Sequence, residues 1–271
     1  MIEALSLTFV QNAILAGVLA SVACGTIGSL VVVNRQVFLA GGVAHAAYGG
    51  VGLGIFLGLP VLPCAVAFTA LAALVAARFT FEHRERSDSF VGVLWATGMA
   101  LGIILLNLTP GYNVDLMSYL FGSILTVPRA DIWAMLVLDA AVVLIILRWY
   151  GDLLSLSFDL EFARASGIPV RRLYSLMLVL VAVAVVMVIQ VVGLILVIAL
   201  LTIPPMLAEP RARSLAHMMV LSTLWCFVFC MTGLTASYAL DLSSGAAIIA
   251  VAALAFFATR TARAWRNRAH A

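Results

Sequence analysis

The sequence contains no lysine, and all 15 of its basic side chains are arginine. A Walker A phosphate loop ends in Gly-Lys-Ser or Gly-Lys-Thr, so this chain cannot hydrolyse ATP by that route. His-Glu-x-x-His, Gly-x-Ser-x-Gly and Cys-x-x-Cys-His are also missing, which leaves metalloprotease, nucleophile-elbow hydrolase and haem-attachment chemistry unsupported. The sequence therefore predicts a protein that is not an enzyme.

Charge is scarce as well: 10% of the residues are charged and 65% are hydrophobic. Soluble domains carry about 25% charged and 45–50% apolar residues, so a water-soluble fold could not bury this much apolar surface. A bilayer accepts it, because its hydrocarbon core is about 30 Å thick and a spanning helix needs about 20 apolar residues. Grouped arginines do not form the basic stripe of a nucleic-acid surface, so we expect membrane lipid and no nucleic acid as a partner.

Nine apolar runs, bounded by charge or by Pro/Gly turns, predict an all-α polytopic bundle in one transmembrane domain, residues 1–271. Eight spans are the alternative, if one run only dips into the bilayer. The runs lie at approximately 9–33, 38–58, 61–81, 89–108, 131–149, 173–191, 193–208, 215–237 and 244–260. Residues 173–208 as one helix would be about 54 Å long, so we expect a tight turn near Val192 and Gly193.

The arginines indicate an orientation. Nine spans that start from an external N-terminus place fourteen arginines on one side and only Arg129 on the other. Because arginine is concentrated in cytoplasmic loops, this predicts a cytosolic C-terminus and a multi-pass protein of the cell's inner (plasma) membrane. Residues 109–130 then form an external loop, with a re-entrant or interfacial stretch at 116–127, and residues 150–172 form the longest cytosolic loop.

The cytosolic loop carries the signals of a short amphipathic helix. Asp159 can cap its start, Phe158 and Phe162 share one side, and Gly167 ends it. Such a helix is either a docking surface for a partner or a segment that lies on the membrane interface.

Two ionisable residues fall inside spans, where each is a functional hypothesis. At helical spacing Gly41, His45, Tyr48 and Gly52 lie on one face of small residues that lets another helix approach closely. A neutral His45 there could ligate a passing divalent cation, or it could bond a backbone carbonyl for packing. Asp139 lies midway along the fifth span and could line a cation path, or it could be a protonated acid that holds two helices together.

The four cysteines, Cys24, Cys64, Cys226 and Cys230, all lie in apolar runs, where thiols act as small hydrophobic groups. No disulfide framework is implied. Cys226 and Cys230 share a helix face that could suit a soft metal, but no histidine or third thiol joins them on that face, so packing is the favoured interpretation.

Five segments, in order along nearly the whole chain, resemble one known family. They are VVVNRQVFLAGGVAHAAYGGVGLG (31–54), SFVGVLWATGMALGIILLNLTPGYNVDLMSYLFGSIL (89–125), FDLEFARASGIPVRRL (158–173), VVGLILVIALLTIPPMLA (191–208) and YALDLSSGAA (238–247). Taken together they look like the membrane subunits of the zinc/manganese/iron ABC importer family. The resemblance implies a homodimer of this subunit, two cytosolic ATPase subunits, and an external solute-binding protein that delivers the metal.

The resemblance also implies roles for individual residues. Residues 158–170 match the coupling helix that docks on the ATPase, which implies contacts for Asp159, Glu161, Phe162, Arg164 and Gly167. His45 matches the histidine at the metal gate. Many relatives carry an aspartate four residues before that histidine, whereas this sequence has Gly41, so either Asp139 substitutes from another helix or the ion passes without a stable stop.

We therefore expect the translocation subunit of an importer for a divalent metal ion, zinc, manganese or iron. The ion is its transported substrate, no cofactor is bound permanently, and ATP binds only to the partner. Two alternatives stay open at this point: a stand-alone secondary transporter coupled to protons through His45 or Asp139, and an ABC permease for a metal chelate.

Overall fold

The structure, a computed structural model, describes residues 8–110, 124 and 127–268. Within these residues it is built of helices joined by short turns. The eleven α-helices are α1 Thr8–Val33, α2 Val37–Leu57, α3 Val61–Glu82, α4 Ser87–Asn107, α5 Arg129–Arg148, α6 Tyr150–Phe158, α7 Leu160–Ala165, α8 Val170–Val192, α9 Leu194–Ala208, α10 Leu215–Leu240 and α11 Ser244–Arg268.

The predicted all-α fold with nine spans is confirmed, because nine described helices are long and apolar enough to cross a membrane. The break in the long sixth run is confirmed too. Helix α8 ends at Val192, and α9 begins at Leu194 after Gly193, whose φ of 84° is a conformation that glycine adopts without a steric penalty. The predicted re-entrant stretch at 116–127 lies outside the described residues except for Ile124 and Val127.

Two boundaries differ from the sequence-based ones. The last helix continues to Arg268, eight residues beyond the predicted end of its span, because alanine, arginine and tryptophan permit helix after the apolar run has stopped. The sixth span begins at Val170 instead of residue 173, because Pro169 suits the position just before a helix and the following arginines are good helix formers.

Small residues pack the helices into two groups. In the first, α2 lies against α3 and α4; in the second, α1 and α11 each pack against α9 and α10. Helix α8 packs against members of both groups, while α5 packs against α1 and α8. Close approach through glycine is how helices associate in a bilayer, where the hydrophobic effect does not drive them together.

The contact between α2 and α4 at Gly52 and Gly102 leaves no room for a side chain. A Cβ atom on Gly52 would lie 2.6 Å from the Gly102 carbonyl oxygen, and one on Gly102 would meet the backbone of Tyr48. We expect Gly102→Ala to destabilise the protein by about 1–3 kcal/mol, because the two backbones must separate.

Gly92→Ala is the matched control on the same helix, because no atom lies within 4 Å of a Cβ placed there. Thermal unfolding of both variants in one detergent measures the difference. Equal unfolding temperatures would show that α2 and α4 do not depend on this contact.

Three contacts connect the loops at one end of the bundle. We call this end the arginine end. Asn34 Nδ2 donates to Ser157 Oγ at 2.9 Å, and the Ala216 backbone N–H donates to Tyr150 Oη at 2.9 Å. Arg171 Nη2 pairs with Glu82 Oε1 at 2.6 Å and joins the start of α8 to the end of α3. The turns after α1, α3, α5 and α9 therefore share one side of the protein with helices α6 and α7.

Candidate functional site

His45 lies in α2, eight residues from the end of that helix at the arginine end, and is half-buried. Its Nδ1 is 2.8 Å from the Gly41 carbonyl oxygen. Since a carbonyl can only accept, Nδ1 carries the hydrogen and Nε2 keeps its lone pair. The Nδ1 contact with Gly41 is the hydrogen bond that the ring makes within the described residues, and it does not involve Nε2. Histidines that bind metals typically hold their other ring nitrogen in this way, so the geometry suits both the ligand and the packing interpretations.

Trp95 of α4 covers one side of the imidazole. The two ring centroids are 4.0 Å apart with the planes tilted by 34°, and the indole Nε1 donates to Met99 Sδ at 3.0 Å. Sequence reasoning missed this neighbour. The sequence contained a signal for this contact. His45 and Trp95 each lie eight residues beyond the first residue of a span that starts at the arginine end, so both lie at about the same depth.

The predicted small-residue face of α2 divides into two parts. Gly41 is half-buried like His45, and a Cβ placed there would touch only Ile198 Cδ1, at 3.8 Å. Tyr48 is buried at 3% exposure, and Gly52 is closed off by α4. The part of this face with room for a ligand is therefore the turn between Gly41 and His45, beside α9.

Asp139 is a buried acid on α5, with 4% of its surface exposed. Neither carboxyl oxygen has a hydrogen-bond partner among the described residues. Cys24 of α1 lies within electrostatic range of it. Removing an isolated carboxylate from water costs at least several kcal/mol, so this environment opposes a negative charge.

The structure places His45 and Asp139 in different surroundings. Helix α2 packs mainly against α3, α4 and α8, whereas α5 packs mainly against α1 and α8. In the described part of the chain, no group of three or more His, Cys, Asp or Glu side chains is arranged to hold a metal ion. Asp139 as a substitute for the missing aspartate stays a prediction.

The two cysteines of α10 are packing residues in this structure. Cys226 and Cys230 are both fully buried. The Cys226 thiol lies 3.6 Å from the Leu200 carbonyl oxygen, and Ser21 Oγ lies 3.9 Å from Cys230 Sγ. These contacts join α10 to α9 and α1.

Helices α6 and α7 form a two-helix segment at the arginine end. The Phe162 backbone N–H donates to Asp159 Oδ1 at 2.9 Å, so the expected N-cap is present. Arg164 pairs with Glu161 at 3.0 Å, and Gly167 has a φ of 75° after the last turn. The short capped helix predicted at this place is confirmed, but the expected shared face of Phe158 and Phe162 is wrong: Phe158 ends α6, and the extended backbone of Asp159 separates it from α7.

The segment is anchored on one side and open on the other. Leu153 and Ala163 are fully buried, whereas Phe158 and Phe162 expose 67% and 59% of their surfaces. A groove of about 410 Å³ adjoins Phe158, and Arg35 and Arg213 also line it. Two exposed aromatic side chains on a short helical segment are the kind of anchor that protein interfaces use.

Comparison with known proteins places the chain in a family. The sequence profile of a family described as "ABC 3 transport family" matches residues 6–262. An uncharacterised membrane protein of Synechocystis sp. is 47% identical over 256 residues, which cover 94% of this chain and 91% of that protein. The manganese transport system membrane protein MntC of Halalkalibacterium halodurans is 33% identical over 94% of this chain and 89% of its own length.

A solved structure has the same fold. PsaBC from Streptococcus pneumoniae, in complex with Fab, matches with a TM-score of 0.85 and 31% identity, over 94% of this chain and 92% of that chain. These relatives and the nine apolar helices make the chain a multi-pass protein of the inner membrane, so the predicted location is confirmed. The resemblance noted in the sequence is confirmed as well, and the chain belongs to the ABC 3 transport family.

Proposed function

We propose that this chain is the translocation subunit of an ATP-driven importer for a divalent metal ion, with Mn²⁺ as the first candidate among manganese, zinc and iron. The observation that carries the proposal is the half-buried His45 inside a span, with Nδ1 bonded to Gly41 and Nε2 not involved in that bond. The manganese transport protein at 33% identity supports the choice of metal. A single imidazole does not itself choose among these ions, because it suits several transition metals.

In this proposal the arginine end faces the cytosol. Two ATPase subunits bind there, one on each copy of a homodimer, and an external solute-binding protein delivers the ion to the opposite end. Residues 158–170 receive the ATPase through Phe158 and Phe162, with Asp159, Glu161, Arg164 and Gly167 holding the shape of the segment. Closure of the ATPase dimer then moves these segments and switches the bundle between its outward and inward states.

The separation of helices into two groups supports such a movement. His45 belongs to the first group. Ile198, whose Cδ1 is the nearest atom to a Cβ placed on Gly41, belongs to the second group. A shift of one group against the other would therefore change the space beside His45. Helix α8 follows residues 158–170 directly and contacts both groups, so it is suited to carry the motion from the arginine end.

Reconstitution tests the assignment. Proteoliposomes that contain the chain with its ATPase and binding protein are expected to take up Mn²⁺ only when ATP is supplied, and the chain alone is expected to be inactive. Uptake by the chain alone under a pH gradient would contradict the proposal and favour a secondary transporter. Uptake of a metal chelate in place of the free ion would reassign the substrate.

A further inference from the structure

Asp139 is the one acidic side chain that is buried among the described residues. Both of its carboxyl oxygens are enclosed and lack a hydrogen-bond partner in that part of the chain. We propose that Asp139 is a proton-binding site, and that in this conformation the carboxyl group holds a proton and not a metal ion.

The helices around Asp139 provide no counter-charge at its depth. On α1 the titratable side chain is Cys24, a thiol that lies within electrostatic range of the carboxyl group. On α5 itself the other charged residues are Arg129, Asp131 and Arg148, which lie ten, eight and nine residues away, roughly 12–15 Å along the axis. The titratable groups described on α8 and α6 lie at the arginine end: Arg171, Arg172, Tyr174, Tyr150 and Asp152.

The negative charge of a carboxylate is unfavourable in these surroundings. Among the described residues the carboxylate has no ion-pair partner and no hydrogen-bond donor, two of the means by which proteins keep a buried carboxylate charged. A proton removes the charge without requiring any group to move. It also removes the negative charge that would draw a divalent cation to this position, so His45 is left to act without Asp139 in this state.

Infrared difference spectroscopy tests the proton directly. Purified wild-type protein and Asp139→Asn in lipid nanodiscs are compared at neutral pH, with aspartate labelled by ¹³C in the side-chain carboxyl group. The wild type is expected to show the carbonyl stretch of a protonated carboxylic acid, shifted by the label, and Asp139→Asn is expected to lose it. Asp131→Asn, in the first turn of the same helix, is the control and should keep the band.

Loss of a carboxylate band instead of an acid band in Asp139→Asn would overturn the proposal. If that variant cannot be purified, the labelled wild type alone decides, because the absence of any acid band from labelled aspartate at neutral pH would also overturn it. The measurement does not involve transport, so its result is independent of whether the chain imports a metal ion.

Discussion

His45→Ala is expected to lower the rate of ATP-dependent Mn²⁺ uptake at least about 10-fold and to leave membrane insertion unchanged. Even loss of a group that only orients a metal ligand typically costs 10–100-fold in affinity or activity, and loss of the ligand itself should cost no less. The imidazole is half-buried, and within the described residues it bonds to Gly41 and contacts the Trp95 ring, so its removal should leave the helix bundle folded. Uptake of radioactive manganese by cells that express the complete transporter measures the effect.

His83→Ala is the matched control. His83 is exposed at the end of α3, where its ring stacks on Phe79 with centroids 5.0 Å apart. This variant should transport normally. Normal uptake by His45→Ala would reduce His45 to a packing residue and remove the observation on which the proposed function rests.

Gly41→Asp is the complementary change to the same site. A side chain at this position has room, because the nearest atom to its Cβ is Ile198 Cδ1 at 3.8 Å, and residues four apart lie on one helix face. A carboxylate beside the imidazole should tighten binding of Mn²⁺ about 10-fold, or about 1.4 kcal/mol. Equal affinity in Gly41→Asp and Gly41→Asn would show that this turn does not contact the ion.

Phe162→Asp, combined with Phe158→Asp, is expected to abolish co-purification of the ATPase and, with it, uptake of Mn²⁺. Aromatic side chains at the centre of an interface are commonly worth 2 kcal/mol or more, which is about 30-fold in affinity for each. Both side chains are more than half exposed, so the charged variants should still fold. The buried Leu153 and Ala163 would continue to hold the segment against the bundle.

Trp265→Asp provides the comparison for this pair. Trp265 is an aromatic side chain with 81% exposure near the same end of the bundle, on α11, and it lies outside the proposed docking segment. Its substitution should leave the ATPase bound. If the two phenylalanine variants also retain the ATPase, residues 158–170 are not the docking site, and an interfacial helix becomes the better interpretation.

Much of the fold could be predicted because the signals are local. A span needs only a sufficient length of apolar residues between polar ends, and the turn at Gly193 follows from the length limit that the bilayer sets. The cap at Asp159 depends on residues three apart, so it too can be recognised in the sequence. The side of the membrane on which the arginines lie stays a prediction from the distribution of charge.

The candidate site was less predictable. His45 could be singled out because an ionisable group in an apolar run is unusual, but the run does not show which helix lies beside it. Trp95 is 50 residues away in the sequence, and it meets His45 only because glycines let α2 and α4 approach closely. Asp139 could be singled out in the same way, yet its separation from the main neighbours of α2 is visible only in the packed bundle.

The sequence by itself determined that this chain lacks a Walker A loop, and it predicted nine apolar spans, with eight as the alternative, and one loop with a capped helix. These properties follow from composition and short-range spacing, which do not depend on how helices pack. Only the tertiary structure decided that Trp95 covers His45, that Gly41 leaves room for a side chain, and that Asp139 is enclosed with no hydrogen-bond partner among the described residues. Each of these depends on contacts between helices distant in sequence, and in a bilayer such contacts are set by the fit of small residues and not by hydrophobicity, which all nine helices share.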